Sequence, residues 1–242
     1  MLADSNPGLA AEALTVAQTL YDNAEVNQWA ISSKVIALSE LLLTTKEDKY
    51  RDELLAMQEQ IIQQIPRCGW AVGRVLNEIK DKKFLEALKE AVASYEAELK
   101  EQQGKDSPYG VPYKPNIWGA GWIIQNFGVD QYFFHKAWPD LCGTDFFLNS
   151  LNFVLGVHPG INTSSFASGV GSRSVTVAYG VNRADWSFIP GGVASGTALI
   201  RPDLPEMKIW PFFWQQTEYV MGGGSTNYMF LVMAADKLFR TE

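Results

Sequence analysis

The sequence predicts an all-α protein, and three observations carry that expectation. Apolar residues recur at helical spacing through the first hundred residues. No alternation of the kind a half-buried strand needs appears there. The intervals between the periodic runs are short, which favours antiparallel neighbouring helices.

The elements follow in order. Asn6-Pro7 precedes a helix over about 8–23, with Pro7 suited to a first turn. Trp29, Ile31, Val35, Leu38 and Leu42 stripe a helix over 26–44, and Tyr50, Leu54, Met57 and Ile61 another over 47–65 that Pro66 should end. A short helix is expected from Trp70 to Ile79. Phe84, Leu88, Val92, Tyr95 and Leu99 stripe a long one that should stop near Gly104. A loop with three prolines occupies 105–116, followed by helices over 118–137 and 142–155 and a last one over 226–239. Between them, residues 156–214 form a long irregular loop rich in Gly, Pro, Ser and Trp. Structureless stretches of that length inside a compact domain are uncommon and usually functional. No fixed-period repeat is present.

Composition divides the chain near residue 107. Residues 1–107 hold 30 of the 47 charged residues and six aromatics, whereas 108–242 hold 24 aromatics and 17 charges. The first part (1–107) therefore reads as ordinary helical hairpins, and the second (108–242) as helices and loops that carry the site. The net charge of −7 argues against nucleic acid, whose phosphates favour a basic surface. No run of about 18 apolar residues would span a membrane, and the start lacks the basic end and apolar stretch of a signal peptide. Cys68 and Cys142 read as buried thiols, and two histidines are too few for a histidine-built metal centre. No cofactor or metal is expected.

The irregular loop contains the residue types a carbohydrate site needs. Aromatics offer flat faces to sugar rings, Arg and Asn offer planar donor arrays to hydroxyls, and Asp and Glu can move protons. The same composition would also serve an irregular loop packed by its own aromatics, with Arg–Asp pairs as struts. A phosphate cradle at 169–172 is poorly supported, because no strand precedes it and no Gly-Lys-Ser/Thr follows. A serine hydrolase lacks its elbow motif and any histidine downstream of His158.

Two stretches are more specific. Leu151-Asn-Phe-Val-Leu-Gly-Val-His-Pro-Gly160 is followed by Ser165-Phe-Ala-Ser-Gly-Val-Gly171. Trp214-Gln-Gln-Thr-Glu218 leads through glycines to Asn227 and the last helix. Both resemble the signatures of family 9 glycoside hydrolases: a helix ending in Tyr-Leu-Leu-Gly-x-Asn-Pro, then Ser-Phe/Tyr-Val-Thr-Gly-Phe-Gly, and later an aromatic three residues before the catalytic glutamate. Trp118-Gly119 at the start of a helix is a third, weaker match. The resemblance covers roughly 115–239 and reaches the earlier part only as helices.

The resemblance implies an (α/α) toroid of six hairpins and inverting hydrolysis of O-glycosidic bonds in an oligo- or polysaccharide. By position Glu218 is the general acid, its pKa raised by Trp214, Tyr219 and Trp210. Arg183, Asp185, Trp186, Arg173, Trp214, Tyr219, Trp118 and His158 would contact substrate, and residues 160–215 would line a pocket with Glu218 at its floor. An inverting pair stands roughly 6.5–9.5 Å apart to admit water. The departures are informative. His158 stands where the family has asparagine, Asn182-Arg183-Ala184-Asp185 replaces its His-His-Arg, and Val220 and Gly224 replace a small residue and asparagine. No Asp-x-Gly-Asp, the stretch that holds the family's base, occurs.

The expectation is thus the C-terminal portion, 1–242, of one toroid catalytic domain, partial and inactive alone. It would associate with further copies or with an N-terminal fragment of a parent, itself secreted or periplasmic by resemblance. The alternatives are a sugar-binding or scaffolding remnant and a polysaccharide lyase using Arg173, Arg183 or Arg201 against a uronate, with Tyr179 as base.

Overall fold

The computed structural model describes residues 2–25, 30–106, 109–113, 120–159, 164–174, 189–194 and 223–241. Among these the chain is mostly helical, and its strand structure is a single pair of two-residue strands. It divides into two compact units, Met1–Ala93 and Ser94–Glu242. That boundary falls inside a helix, upstream of the change in composition.

In the first unit, α1 (Leu2–Ser5) leads into α2 (Pro7–Asn23). The Asn6 side chain accepts the Leu9 N–H at 3.1 Å, and Pro7 opens the first turn, where its missing N–H loses nothing. The helix starts one residue before the start the sequence predicts. Next, α3 (Ile31–Thr45) buries Val35, Leu38, Leu41 and Leu42 against α4 (Asp48–Ala56) and α6 (Ile65–Gly73). Lys46 ends it in the left-handed conformation (φ 60°), with its N–H on the Leu42 carbonyl.

The single helix expected over 47–65 is instead three pieces: α4, α5 (Gln58–Gln63) and the start of α6. Proline accounts for the second break. Inside a continuous helix Pro66 would lose a hydrogen bond and its ring would meet a carbonyl one turn back. The chain breaks at Gln64 instead, and Pro66 sits in the first turn of α6, so it opens a helix as much as it ends one. The break at Met57 has no comparable signal in the sequence. The helix expected from Trp70 to Ile79 is also corrected: α6 ends at Gly73, and a separate 3₁₀ turn, Leu76–Glu78, follows.

This unit leaves apolar surface uncovered. No residue of α2 is buried; Leu9, Val16 and Leu20 are 49%, 50% and 67% exposed. Between α2 and α3 lies an open groove of about 840 Å³ lined by Leu2, Ala10, Leu14, Ala17, Ala37 and Leu41 among others.

The long helix α7 (Lys82–Asp106) carries the chain into the second unit, where α8 (Ala120–Ala137), α9 (Asp145–Val154) and α10 (Gly223–Thr241) pack together. Gly128 on α8 permits that approach. A Cβ there would lie 2.5 Å from the Ser150 Cβ of α9 and 3.2 Å from a Leu231 methyl of α10. One core cluster gathers Phe147, Leu151, Leu231, Ala234 and Ala235. A second gathers Tyr109, Val111, Tyr113, Ile124, Phe153, Val154, Phe166, Ala167, Val193 and Ala194. Residue 142 was expected inside a helix. Instead 138–142 is a turn in which Leu141 and Cys142 both donate to the Trp138 carbonyl, and α9 begins at Asp145. None of the described helices is long and apolar enough to cross a membrane.

Candidate functional site

The candidate site is built on the C-terminal end of α9. The helix closes in a Schellman turn: Gly156 (φ 72°) donates to the Phe153 carbonyl and Val157 donates to Asn152 at 2.8 Å. The carbonyls left over would otherwise be orphans in a buried place. Residues 165–174 fold back to claim them. Phe166 N–H donates to the Val154 carbonyl at 2.8 Å, Ser172 N–H to Leu155 at 2.9 Å, and Ser172 Oγ to Gly156 at 3.1 Å.

Two glycines make the return possible. Gly169 and Gly171 hold φ of 76° and 79°, a region that side chains disfavour. At Gly171 a Cβ would stand 2.2 Å from the Leu155 carbonyl oxygen and 2.7 Å from Ser165 Oγ, so no other residue fits there. Short strands β1 (Ser164–Ser165) and β2 (Arg173–Ser174) then pair in parallel, with Ser164 opposite Arg173.

A second segment, 189–194, completes the structure. Ala167 and Val193 form an antiparallel bridge. Ala194 N–H donates to Phe166, Ser168 N–H to Gly192 and Gly191 N–H to Ser168, at 2.7–2.9 Å. Phe166 stacks on Phe153 with centroids 5.0 Å apart, which ties this assembly to the aromatic core. Tyr109 packs edge-on against both Phe153 and His158 at about 4.5 Å. The adjoining Gly110 carbonyl takes hydrogen bonds from Asn149 and Gln103.

Of the residues expected to form the site, two fall within the described residues. Arg173 lies exposed on β2. His158 lies half-buried just past the Schellman turn, and burial lowers its pKa to about 4. Its imidazole is therefore neutral at physiological pH. It can donate one hydrogen bond and accept another, as the amide of an asparagine does, but it cannot serve as a cationic acid. The structure brings these two to the same end of α9. Glu218, Arg183, Asp185, Trp186, Trp214, Tyr219 and Trp118 lie outside the described residues, as does most of the pocket expected over 160–215.

Other groups of this unit escaped the sequence reading. Ser165 lies within a quoted motif, yet its place at the centre of this assembly has no sequence signature. Asp130 lies on α8 between Val129 and Gln131, with no sequence signal that sets it apart. Burial raises its pKa to about 7, and its charge bears on Tyr95 of α7. Glu96 is buried with neither carboxylate oxygen in a well-formed hydrogen bond. Burial raises its pKa, against the opposing pull of Lys100 and of the Cys142 thiol beside it. Gln125 is fully enclosed on α8. Cys68, in the first unit, and Cys142 are free and buried, as the sequence predicts, and burial pushes both thiols up to about 12, with Glu96 adding to the effect at Cys142. Thiols held protonated in this way are poor nucleophiles. Among the described residues no cluster of three or more His, Cys, Asp and Glu could hold a metal ion.

No protein-family model matches this chain, and no curated protein matches it either.

Proposed function

We propose that this chain carries the acid side of a family 9-like glycoside hydrolase site on an (α/α) toroid, with Glu218 as general acid. The observation that carries this reading is the paired motif: Leu151–Gly160 with Ser165–Gly171, then Trp214–Glu218 leading into α10. Support comes from the way the first motif folds. Gly156, Gly169 and Gly171 hold positive φ at the end of α9, and the motif's aromatic, Phe166, is an anchor in the core. The motif thus makes a rigid base beside which Arg173 and a neutral His158 can meet sugar hydroxyls.

In this reading Glu218 protonates the glycosidic oxygen as the bond breaks, while a carboxylate across the sugar ring activates water. This sequence has no Asp-x-Gly-Asp stretch, so that base must come from residues outside it. The exposed apolar stripe of α2 supports association with further helices.

The test is Glu218→Gln in the active assembly, read as kcat on two substrates of the same sugar. General acid help is worth about 10²–10⁴ in rate, or roughly 3–5 kcal/mol of barrier. Hydrolysis of an unactivated oligosaccharide should fall by that factor. An aryl glycoside with an activated phenol needs little protonation and should fall far less. Equal losses on both, or none on either, would remove Glu218 from the acid role. An unsaturated product absorbing in the ultraviolet would identify a lyase instead.

A further inference from the structure

We propose that Ser165 is a positioning residue for the sugar-binding wall, acting through Arg173. This inference rests on the reading of Arg173 as a sugar contact.

The Ser165 side chain has no exposed surface, and its hydroxyl oxygen lies among three backbone carbonyls: Val154 at 3.1 Å, Ala167 at 2.9 Å and Val170 at 2.7 Å. A hydroxyl has one proton to give. The Val154 carbonyl already accepts the Phe166 N–H, and the Ala167 carbonyl accepts the Val170 N–H. A carbonyl can accept twice, but the Val170 carbonyl is the nearest of the three, and the proton is assigned to it. That bond fixes the peptide joining Val170 to Gly171. Gly171 is the residue whose missing side chain lets the chain lie against the Leu155 carbonyl. From there the strand is held step by step. Ser172 bonds to Leu155 and Gly156, and Ser174 Oγ accepts the Gly169 N–H at 2.9 Å. Arg173 stands between those two anchored serines, and its own side chain is exposed. A buried hydroxyl thus sets the backbone from which an exposed guanidinium projects.

The alternative is that Ser165 supports the fold in general, and the two roles separate in a double-mutant cycle. Backbone amide exchange is measured first on Ser165→Ala. Protection of the Ser172 amide should drop about five- to ten-fold, the worth of one hydrogen bond, while amides of α8 stay unchanged. Affinity for cellohexaose, xylohexaose and mannohexaose is then measured for wild type, Ser165→Ala, Arg173→Ala and the double variant. Each single variant should weaken binding of whichever hexaose binds. The double variant should bind no more weakly than Arg173→Ala alone, because Ser165 has nothing left to position. Additive losses, or unchanged exchange at Ser172, would overturn the inference while leaving the sugar site standing. Wild-type protein that binds none of the three hexaoses would remove the sugar reading, and this inference with it.

Discussion

Three glycines allow the constraint at the end of α9 to be measured in parts. Gly143 has open space around the position a Cβ would take and an ordinary φ; Gly191 has open space but a φ of 78°; Gly171 has a φ of 79° and a Cβ position 2.2 Å from the Leu155 carbonyl oxygen. Replacing each with alanine adds one effect at a time. At Gly143 the change should lie within about ±0.5 kcal/mol, as for a surface site without special features. At Gly191 the left-handed backbone alone should cost about 1–2 kcal/mol. At Gly171 that strain remains and the added methyl cannot coexist with the carbonyl. The strand must move, which breaks the Ser172 bond to Leu155 and disturbs the Ser165 hydroxyl 2.7 Å from the same Cβ. Two hydrogen bonds lost at about 1 kcal/mol each bring the total to about 3–4 kcal/mol. Urea unfolding followed by circular dichroism gives the three values, and amide exchange localises the change to 165–174. A Gly171→Ala loss no larger than that of Gly191→Ala would refute the close approach to Leu155.

Three further outcomes test other parts of the structure. The fold holds Asp130 protonated up to about pH 7, above the usual carboxylate value of 3.8, so the unfolded chain releases this proton first as pH rises. The contribution of this group to stability should be fullest below pH 3.8 and fall through the window from 3.8 to about 7, by up to about 4 kcal/mol; Asp130→Asn should remove that downward slope from unfolding curves between pH 4 and 8, and an unchanged slope would exclude Asp130 as its source. Gly128→Ala should destabilise the second unit by about 1–3 kcal/mol through overpacking against Ser150 and Leu231, although alanine is the better helix former; a stabilised variant in a thermal melt would show that α8 and α9 are not in close contact there. Neither Cys68 nor Cys142 should react with a thiol reagent in native protein at pH 8, and both should react in urea; fast native labelling would contradict their burial.

The helices were legible wherever periodicity and a local stop signal agreed. Asn6-Pro7 marked the start of α2, and the stripe from Phe84 to Leu99 marked α7, because each is a local effect of a few adjacent residues. Pro66 was read as a stop although it also starts a helix, since proline is compatible with the first turn and incompatible only with the interior. The turn at 138–142 was missed for a different reason. Its hydrogen bonds converge on the Trp138 carbonyl and its end is pinned by His135, whose Nδ1 lies 2.8 Å from the Cys142 carbonyl oxygen; neither contact leaves a periodic trace. At the candidate site, the motif residues could be named from sequence, but not what each does. Ser165 looks like any serine until three carbonyls, two of them from the motif itself and one from α9, are placed around it.

The assembly at the end of α9 holds the chain at Ser174 and again at Ile189–Ala194, leaving 14 residues between. For a flexible segment with both ends fixed by backbone bonds, the entropy of closure depends on its length only logarithmically. Doubling it would cost about 0.6 kcal/mol, less than a single hydrogen bond of the assembly that anchors it. Where a segment between two such anchors is flexible, a change in its length is thermodynamically cheap as long as Gly171 and the Ala167–Val193 bridge are kept. Anchors of this kind let selection, or a designer, change what lies between them while the helices beneath go on folding as before.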